Sequence, residues 1–452
     1  MLLPESTSLN WVERPGRALL RLAWPITISM VSFSTMTLAS TAFVAHLGAD
    51  QLAGVGLAGI VGFALVCFAI GLLRGAKTLV SQAIGANRRD RIPSLLGAAV
   101  LLALGFGALA LLGGQLVAPL LVHLTGSPDA GKYAAQYVSI RSLGTPLAIM
   151  YAALREARYG EGDSKSPMRA SLAGNGVNIG LDAVLILGLG WGVKGAAVAA
   201  IFGNATELAL LAWPMRAQLR AMKVTRLALR DTWAQGVPNG LQFVMEVGAF
   251  LILSLLVARM PAVDAAAHQM VLQLINVSFL PAHALAEAAA VLVGQAVGAG
   301  QNQLVPKVAR RALALGAGYS GLCCVIYAVV GGTIAYAFAA GDLALGARAT
   351  TLVHISLIFL VADAANVIAR GVLRGASDVR YAAIVGILTS WLTTPPLAYL
   401  FGDMLGLGVV GGWIGLSVEI VVGALLFWAR VWRGGWQPAA APARRAMAGT
   451  AV

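Results

Sequence analysis

Four polar residues, Ser171, Asn175, Asn178 and Asp182, recur at helical spacing inside a segment otherwise apolar enough to cross a bilayer. At about 100° per residue they share one face, so they form a single polar stripe on an apolar helix. For the serine and the two asparagines the stripe has a plain structural reading, interhelical hydrogen bonds worth ~0.6 kcal/mol each. Asp182 is different. A carboxylate at mid-membrane costs about 2.5–3.5 kcal/mol on insertion scales, so it is expected to face a protein-lined, watered cavity. A carboxyl that trades its charge for a proton there is a candidate proton carrier. With the Asn178 side-chain oxygen one turn away, Asp182 is equally a candidate sodium ligand.

The second half of the chain carries its own acids. Glu246 lies in an apolar run, with Gln235, Asn239 and Gln242 on the same face, and no cation is near it in sequence. Asp363 is followed by Asn366 and Arg370 at one and two turns, which allows an internal network from Asp363 through Asn366 to Arg370. Glu207 and Glu419 read as packing or lipid-side interface residues. His283 and Glu287 are one turn apart after Pro281. The other histidines, 46, 123, 268 and 354, read as polar core or loop residues, and Cys67, Cys323 and Cys324 as small core side chains. There is no HExxH, CxxC pair, P-loop or GxSxG, so nothing points to an enzyme, a cofactor or a certain metal site.

These residues need apolar helices to hold them. Of 452 residues 59% are hydrophobic and only 11% charged, and the mean hydropathy is +0.80. Such a chain is a polytopic membrane protein, because soluble domains carry about 25% charged residues. Runs such as LAGVGLAGIVGFALVCFAIGLL do not alternate, which excludes an outer-membrane barrel. About twelve apolar segments are predicted, one of them centred near residue 146. With the amino terminus in the cytoplasm, most basic residues fall inside, among them Arg88, Arg89, Arg91, Arg216, Arg220, Arg444 and Arg445. The net charge of +13 is therefore topological and not a nucleic-acid footprint. Glu5 and Glu13 and the lack of a cleavage pattern argue against a removable signal peptide. Trp191, Trp213, Trp233, Trp413, Trp428, Trp432 and Trp436 sit near span ends, where headgroup-level rings are expected.

The chain also repeats itself. VSQAIGANRRDRIP (Val80 to Pro93) aligns with VGQAVGAGQNQLVP (Val293 to Pro306), and the same shift carries Pro25 onto Pro238 and Arg74 onto Glu287. GEGD at Gly160 falls near GASD at Gly375, and GVKG at Gly192 near GVVG at Gly408. Two copies of a six-helix unit, six being even, make a parallel repeat of the kind found in secondary transporters. The expected fold is an all-α polytopic membrane protein of twelve transmembrane helices in two pseudo-symmetric six-helix lobes around a central cleft. The expected divisions are an amino lobe over 1–215, a basic cytoplasmic linker over 216–232, a carboxy lobe over 233–435 and a cytoplasmic tail over 436–452. Arg74 and Glu287 are then expected to pair between the lobes, and Pro25 to bend the first helix.

The segments Leu20 to Ala58, Gly160 to Ala199 and Asp264 to Gly300 resemble the multidrug and toxic compound extrusion (MATE) transporters. The GxGDSKSPM…NxxLDxxxIxGxGxGxxGAA run is the most specific part. The resemblance implies two six-helix bundles around a V-shaped cleft, and efflux of organic, often cationic compounds driven by proton or sodium entry. It assigns Asn178 and Asp182 to an amino-lobe cation site, Glu246 and Asp363 to the acids of the carboxy lobe, and Pro25 to bending of the first helix; Asn175, on the same stripe, is a further candidate for ion coupling or substrate binding. One position departs from the pattern. Where many members carry an aspartate, this chain reads STAFVAHLG with Ser40, which removes a charged ligand and favours proton over sodium coupling. A flippase for lipid-linked oligosaccharide is the alternative; the few basic residues within spans, Arg74, Lys77 and Arg141, argue against it. The expected setting is the bacterial inner membrane, with both termini cytoplasmic, a small organic substrate, no nucleic acid and a monomeric state.

Overall fold

Apolar runs longer than the about twenty residues that span hydrocarbon become continuous helices, because lipid offers backbone amides no partner outside the chain. A computed structural model of the chain describes residues 9–124 and 127–441. Glu5, Arg444, Arg445 and the rest of the tail beyond residue 441 lie outside the described residues. The long helices are α1 (Pro15–Ala45), α2 (Ala49–Gly85), α3 (Ile92–Val117), α4 (Pro128–Ser142), α5 (Thr145–Gly160), α6 (Lys165–Asp182), α7 (Gly192–Ala212), α8 (Arg226–Ala258), α9 (Ala262–Gly298), α10 (Leu304–Phe338), α11 (Leu343–Gly375), α12 (Val379–Ala398) and α13 (Val409–Trp432). No strand occurs among the described residues.

Among the described residues, eleven helical stretches are long and apolar enough to cross a membrane. The further span expected near residue 146 is the pair α4 and α5, divided at Leu143 and Gly144. Pro146, in the first turn of α5, has no N–H to extend α4. The break stays satisfied: Leu143 and Gly144 donate to the carbonyls of Ile140 and Arg141 at 3.1 Å, and the Thr145 hydroxyl donates to that of Ser142 at 2.7 Å.

The chain divides into two compact units, an amino unit of Ile28–Val80 and Arg88–Gly240, and a carboxy unit of Met1–Thr27, Ser81–Asn87 and Leu241–Val452. In the amino unit, Leu72, Leu73 and Ala76 of α2, Ala99 and Ala103 of α3, and Ile149 and Ala153 of α5 form a buried apolar core. Alongside it α6 packs on α7 at backbone distance: a Cβ on Gly174 would lie 2.8 Å from the Gly203 carbonyl, and one on Gly203 3.0 Å from the Gly174 carbonyl. α6 ends in a π-helical turn over Ala183–Gly188.

In the carboxy unit, α11 packs against α9, α10 and α13. The end of α2 joins this unit through its repeated motif. A Cβ on Gly85 would sit 2.0 Å from the Gln295 carbonyl oxygen, and one on Gly298 2.0 Å from that of Gln82, so the two copies of QAxGA cross reciprocally with only hydrogen atoms between the backbones. Gln82 Nε2 donates to the Gly375 carbonyl at 3.1 Å and to the Ser377 hydroxyl at 2.7 Å. α12 also ends in a π-helical turn, Tyr399–Met404, so the local structure that follows α6 recurs after α12.

Tryptophan placement differs in part from the sequence expectation. Trp191, Trp213, Trp233 and Trp432 are exposed, but Trp413, Trp428 and Trp436 are buried. Trp413 Nε1 donates to His268 Nδ1 at 3.1 Å inside the carboxy-unit core, so its indole N–H is satisfied by protein and not at a headgroup.

Two outcomes follow from the packing. Gly298→Ala is expected to cost about 1–3 kcal/mol, the usual penalty of overpacking, read as a lower melting temperature in detergent, with Gly85→Ala matching it. The second concerns Asp163, at the start of α6. Its Oδ1 accepts from the Lys165 and Ser166 amides at 3.0 Å each, and its Oδ2 from the Ser166 hydroxyl at 2.6 Å and Arg158 Nη2 at 2.5 Å. Burial raises this carboxyl, but the Ser166 and Arg158 contacts outweigh it and hold Asp163 below the ordinary value. Its stabilising effect is thus complete above the ordinary carboxyl range of about 4 and is lost as pH falls through its lower folded value. Asp163→Ala is expected to cost about 1 kcal/mol at neutral pH, and melting curves should show that deficit shrinking on acidification below about pH 4.

Candidate functional site

The capped start of α6 fixes the rotation at which its polar stripe enters the amino unit. Ser171, Asn175, Asn178 and Asp182 are all buried, Asp182 to 1% exposure, and they meet α1. Asn175 Nδ2 donates to the Ser32 hydroxyl at 2.8 Å and to that of Ser171 at 3.3 Å. Two turns farther along α1, the Ser40 hydroxyl donates a short hydrogen bond to Asp182 Oδ2. The Asn178 amide satisfies all its neighbours when its nitrogen donates to Asp182 Oδ2 (3.0 Å) and Ser40 (3.1 Å) and its oxygen accepts from the Ala200 amide (3.2 Å). Asp182 Oδ1 is buried with no hydrogen-bond partner. One carboxylate oxygen is thus held by neutral donors and the other is left for a proton, a water or a cation.

Behind Asn175 and Asn178 lies a cavity of about 40 Å³, lined also by Phe33, Met36, Arg141, Asn204 and Glu207. That volume suits one or a few waters and is far below the several hundred Å³ of a pocket for a drug-sized molecule. Asn204 Nδ2, on the lining, is buried and unpaired.

In the carboxy unit the acids are held differently. Arg370 Nη1 lies 2.7 Å from Glu246 Oε1, Gln242 Nε2 donates to the same oxygen at 2.8 Å, and the guanidinium stands 5.2 Å over the Phe427 ring. Gly386 of α12 leaves the space for this pair, since a Cβ there would lie 2.5 Å from Gln242 Nε2 and 2.7 Å from Glu246 Oε1. The network expected from Asp363 through Asn366 to Arg370 is not formed. Arg370 reaches across to α8, Asn366 Nδ2 donates to the Ile420 carbonyl at 3.0 Å, and Asp363 is half-buried with no hydrogen bond or ion pair among the described residues. On α13, Glu419 accepts a short hydrogen bond from Thr394.

Of the remaining candidates, Pro25 is buried inside α1, and Arg74 is half-buried in α2. Glu287 is buried in α9, 3.6 Å from His283 Nε2 and 3.8 Å from Arg374 Nη1. Two features were not singled out by spacing. Glu207, read from sequence as a packing or lipid-side residue, lines the amino-unit cavity, and Glu156 joins Lys77 (3.2 Å) and Arg155 (3.1 Å) in a buried cluster. The Lys77 partner of Glu156 was not legible as such, because Lys77 comes from another helix.

Comparison with known proteins bears on the whole arrangement. The family model described as MatE matches residues 25–184 and again 238–400, two blocks that begin at the repeat-mated prolines Pro25 and Pro238. A probable multidrug resistance protein NorM of Pseudomonas putida is 30% identical over 435 residues, 90% of this chain and 92% of that one. Its namesake in Burkholderia pseudomallei is 29% identical over 435 residues, 91% of each chain. Among solved structures, a MOP superfamily transporter from Pyrococcus furiosus superposes with a TM-score of 0.88 at 22% identity, covering 96% of this chain and 99% of that one. A multidrug resistance MATE family transporter in an outward-facing conformation gives 0.87 at 21% identity, with 96% and 100% covered. At that identity the structural likeness carries the fold.

The Glu246–Arg370 pair sets up a double-mutant cycle. Arg370→Gln leaves a carboxylate unpaired and is expected to cost about 3 kcal/mol, the lower end for a buried pair because the Glu246 side chain keeps 24% exposure. Removing both charges with Glu246→Gln should return most of that loss. Thermal unfolding in detergent of the two single variants and the double variant checks it.

Proposed function

Since this chain belongs to the MATE family of transporters, we propose that it is a cation-coupled antiporter exporting organic, often cationic, compounds across the bacterial inner membrane. The observation that carries this reading is Asp182, a carboxylate buried to 1% in an apolar helix, with one oxygen held by Ser40 and Asn178 and the other unpartnered. Such a group is costly in hydrocarbon unless its charge is exchanged for a proton or met by a cation during function. The names of the relatives, probable multidrug resistance proteins, support drug-like cargo.

In the proposed cycle the coupling ion is a proton. Ser40 brings a hydroxyl and not a carboxylate to Asp182, so a bound sodium ion would meet one negative group there, whereas a proton needs only one. Protonation of Asp182, and of Asp363 in the carboxy unit, weakens the attraction that holds a cationic substrate. Substrate leaves outward, and the carboxyls release their protons to the cytoplasm when the protein faces inward. Each ligand shifts the two states only by its differential affinity for them. The reading includes two six-helix halves, 1–215 and 233–435, joined by the basic segment 216–232, with both termini cytoplasmic, a monomer in the lipid bilayer, and no cofactor.

The test uses proteoliposomes loaded with a fluorescent organic cation and an imposed pH gradient without sodium. Wild type should move the dye, and Asp182→Asn, Glu246→Gln and Asp363→Asn should each lower the rate, Asp182→Asn to the level of protein-free liposomes. Gradient-driven transport retained in all three variants would remove the mechanism. Movement that requires sodium would transfer the coupling role to that ion.

A further inference from the structure

We propose that Glu207 is a second proton-exchanging carboxyl of the amino unit, joined to Asp182 through the small cavity behind Asn175 and Asn178. The proposal rests on the antiport reading above and adds a residue to it.

Three observations carry it. First, the fold makes room for this side chain: a Cβ on Gly174 would lie 2.3 Å from Glu207 Cγ and 3.3 Å from its Cδ. The glycine crossing that brings α6 against α7 is therefore also the slot through which Glu207 reaches the polar stripe. A glutamate that merely snorkelled to the lipid interface would need no such slot. Second, the carboxyl enters a cavity of a size for water. Its lining includes three carboxamides, Asn175, Asn178 and Asn204; Asn204 Nδ2 on that lining, and Asp182 Oδ1 on the far side of Asn178, are buried atoms with no protein partner. At about 40 Å³ the space takes one or a few waters, so it excludes the organic substrate and suits proton relay. Asn178 spans the distance to Asp182, lining the cavity with its side chain and donating to the aspartate.

Third, no neighbour neutralises Glu207. The groups that face it are Arg155, Tyr151 and Tyr159 from α5, Arg141 from α4, and Ser171 from α6. Arg155 is already paired with Glu156 at 3.1 Å and lies 5.8 and 6.0 Å from the Tyr151 and Tyr159 ring centres. Glu207 itself forms no ion pair among the described residues, and Arg141, on the cavity wall, stands beyond salt-bridge distance. Arg141, on the cavity lining, repels a sodium ion resident there, whereas a proton relayed through water comes to rest on a carboxylate and leaves no cation in the cavity. The step is a transfer of one proton: it leaves hydronium or the Asp182 carboxyl, and a Glu207 oxygen takes it up, with no bond to carbon made or broken.

Infrared difference spectra of the purified full-length protein between acid and neutral pH, together with transport, test this. Glu207→Gln keeps the shape of the side chain. It should remove one component of the protonated-carboxyl C=O band, with Glu207→Asp shifting that component and Asp182→Asn removing a different one. In liposomes under a pH gradient, Glu207→Gln should reduce ethidium transport to the protein-free level while retaining ethidium binding without a gradient. Gly174→Ala, which crowds the side chain from its slot, should shift the same infrared component. An infrared spectrum for Glu207→Gln that superimposes on wild type, or wild-type transport by that variant, overturns the proposal. If wild type itself moves no ethidium, the antiport reading fails, and the infrared comparison still decides whether Glu207 exchanges a proton.

Discussion

The price of a carboxylate in hydrocarbon governs this molecule, and its two units meet it in opposite ways. In the carboxy unit Glu246 has a counter-ion, Arg370, itself stacked on Phe427, so the charge is met by charge. In the amino unit Asp182 has no cation in contact, and is met by a hydroxyl and a carboxamide. Neutral donors return only part of the hydration a carboxylate loses. In the proposed cycle a proton or water supplies the rest, and the cavity beside Asn178 has room for one or a few waters.

These arrangements demand close backbones, which is where the 53 glycines enter. In lipid, helices gain little from apolar contact with one another and associate through close van der Waals packing. Gly174 and Gly203 bring α6 against α7, and Gly386 leaves room for Gln242 and Glu246. The same residue type thus sets helix spacing and opens the slots in which buried acids sit. A substitution that adds one methyl group at such a crossing acts on packing and on the polar site together.

The architecture was legible because its signals are periodic. Long apolar runs gave the spans, and the QAxGA and GxxD repeats gave the duplication, which recurs as paired π-helical turns after α6 and α12. The stripe from Ser171 to Asp182 was legible for the same reason, since one helix holds it. Contacts between helices were not. Arg370 lies two turns from Asp363 in sequence but reaches Glu246 on α8, and sequence spacing carries no information on which neighbour a long guanidinium prefers. Glu207 was read as a packing or lipid-side interface residue, and its place on the cavity was not legible, because that place depends on an absence, the missing side chain at Gly174 on a different helix. Trp413 was placed at a headgroup because it begins a helix, while its indole is in fact satisfied by His268 in the core.

The contrast between the units bears on how labour divides in the proposed cycle. To protonate Glu246 is to strand Arg370 as an uncompensated cation in a low-dielectric setting, so that pair changes state only if the guanidinium finds another partner. Half-buried Asp363, two turns away on the same helix, is an acid with no hydrogen bond or ion pair among the described residues. Asp182 carries no such tie. Taking up a proton there leaves Ser40 and Asn178 as neutral as before, and the hydroxyl can turn to accept where it had donated. A site that exchanges protons without disturbing a fixed charge needs less rearrangement per cycle than one that must break an ion pair. On that ground the proposed cycle assigns the easier proton exchange to the amino unit, and treats the Glu246–Arg370 pair as an element that switches only when helices move.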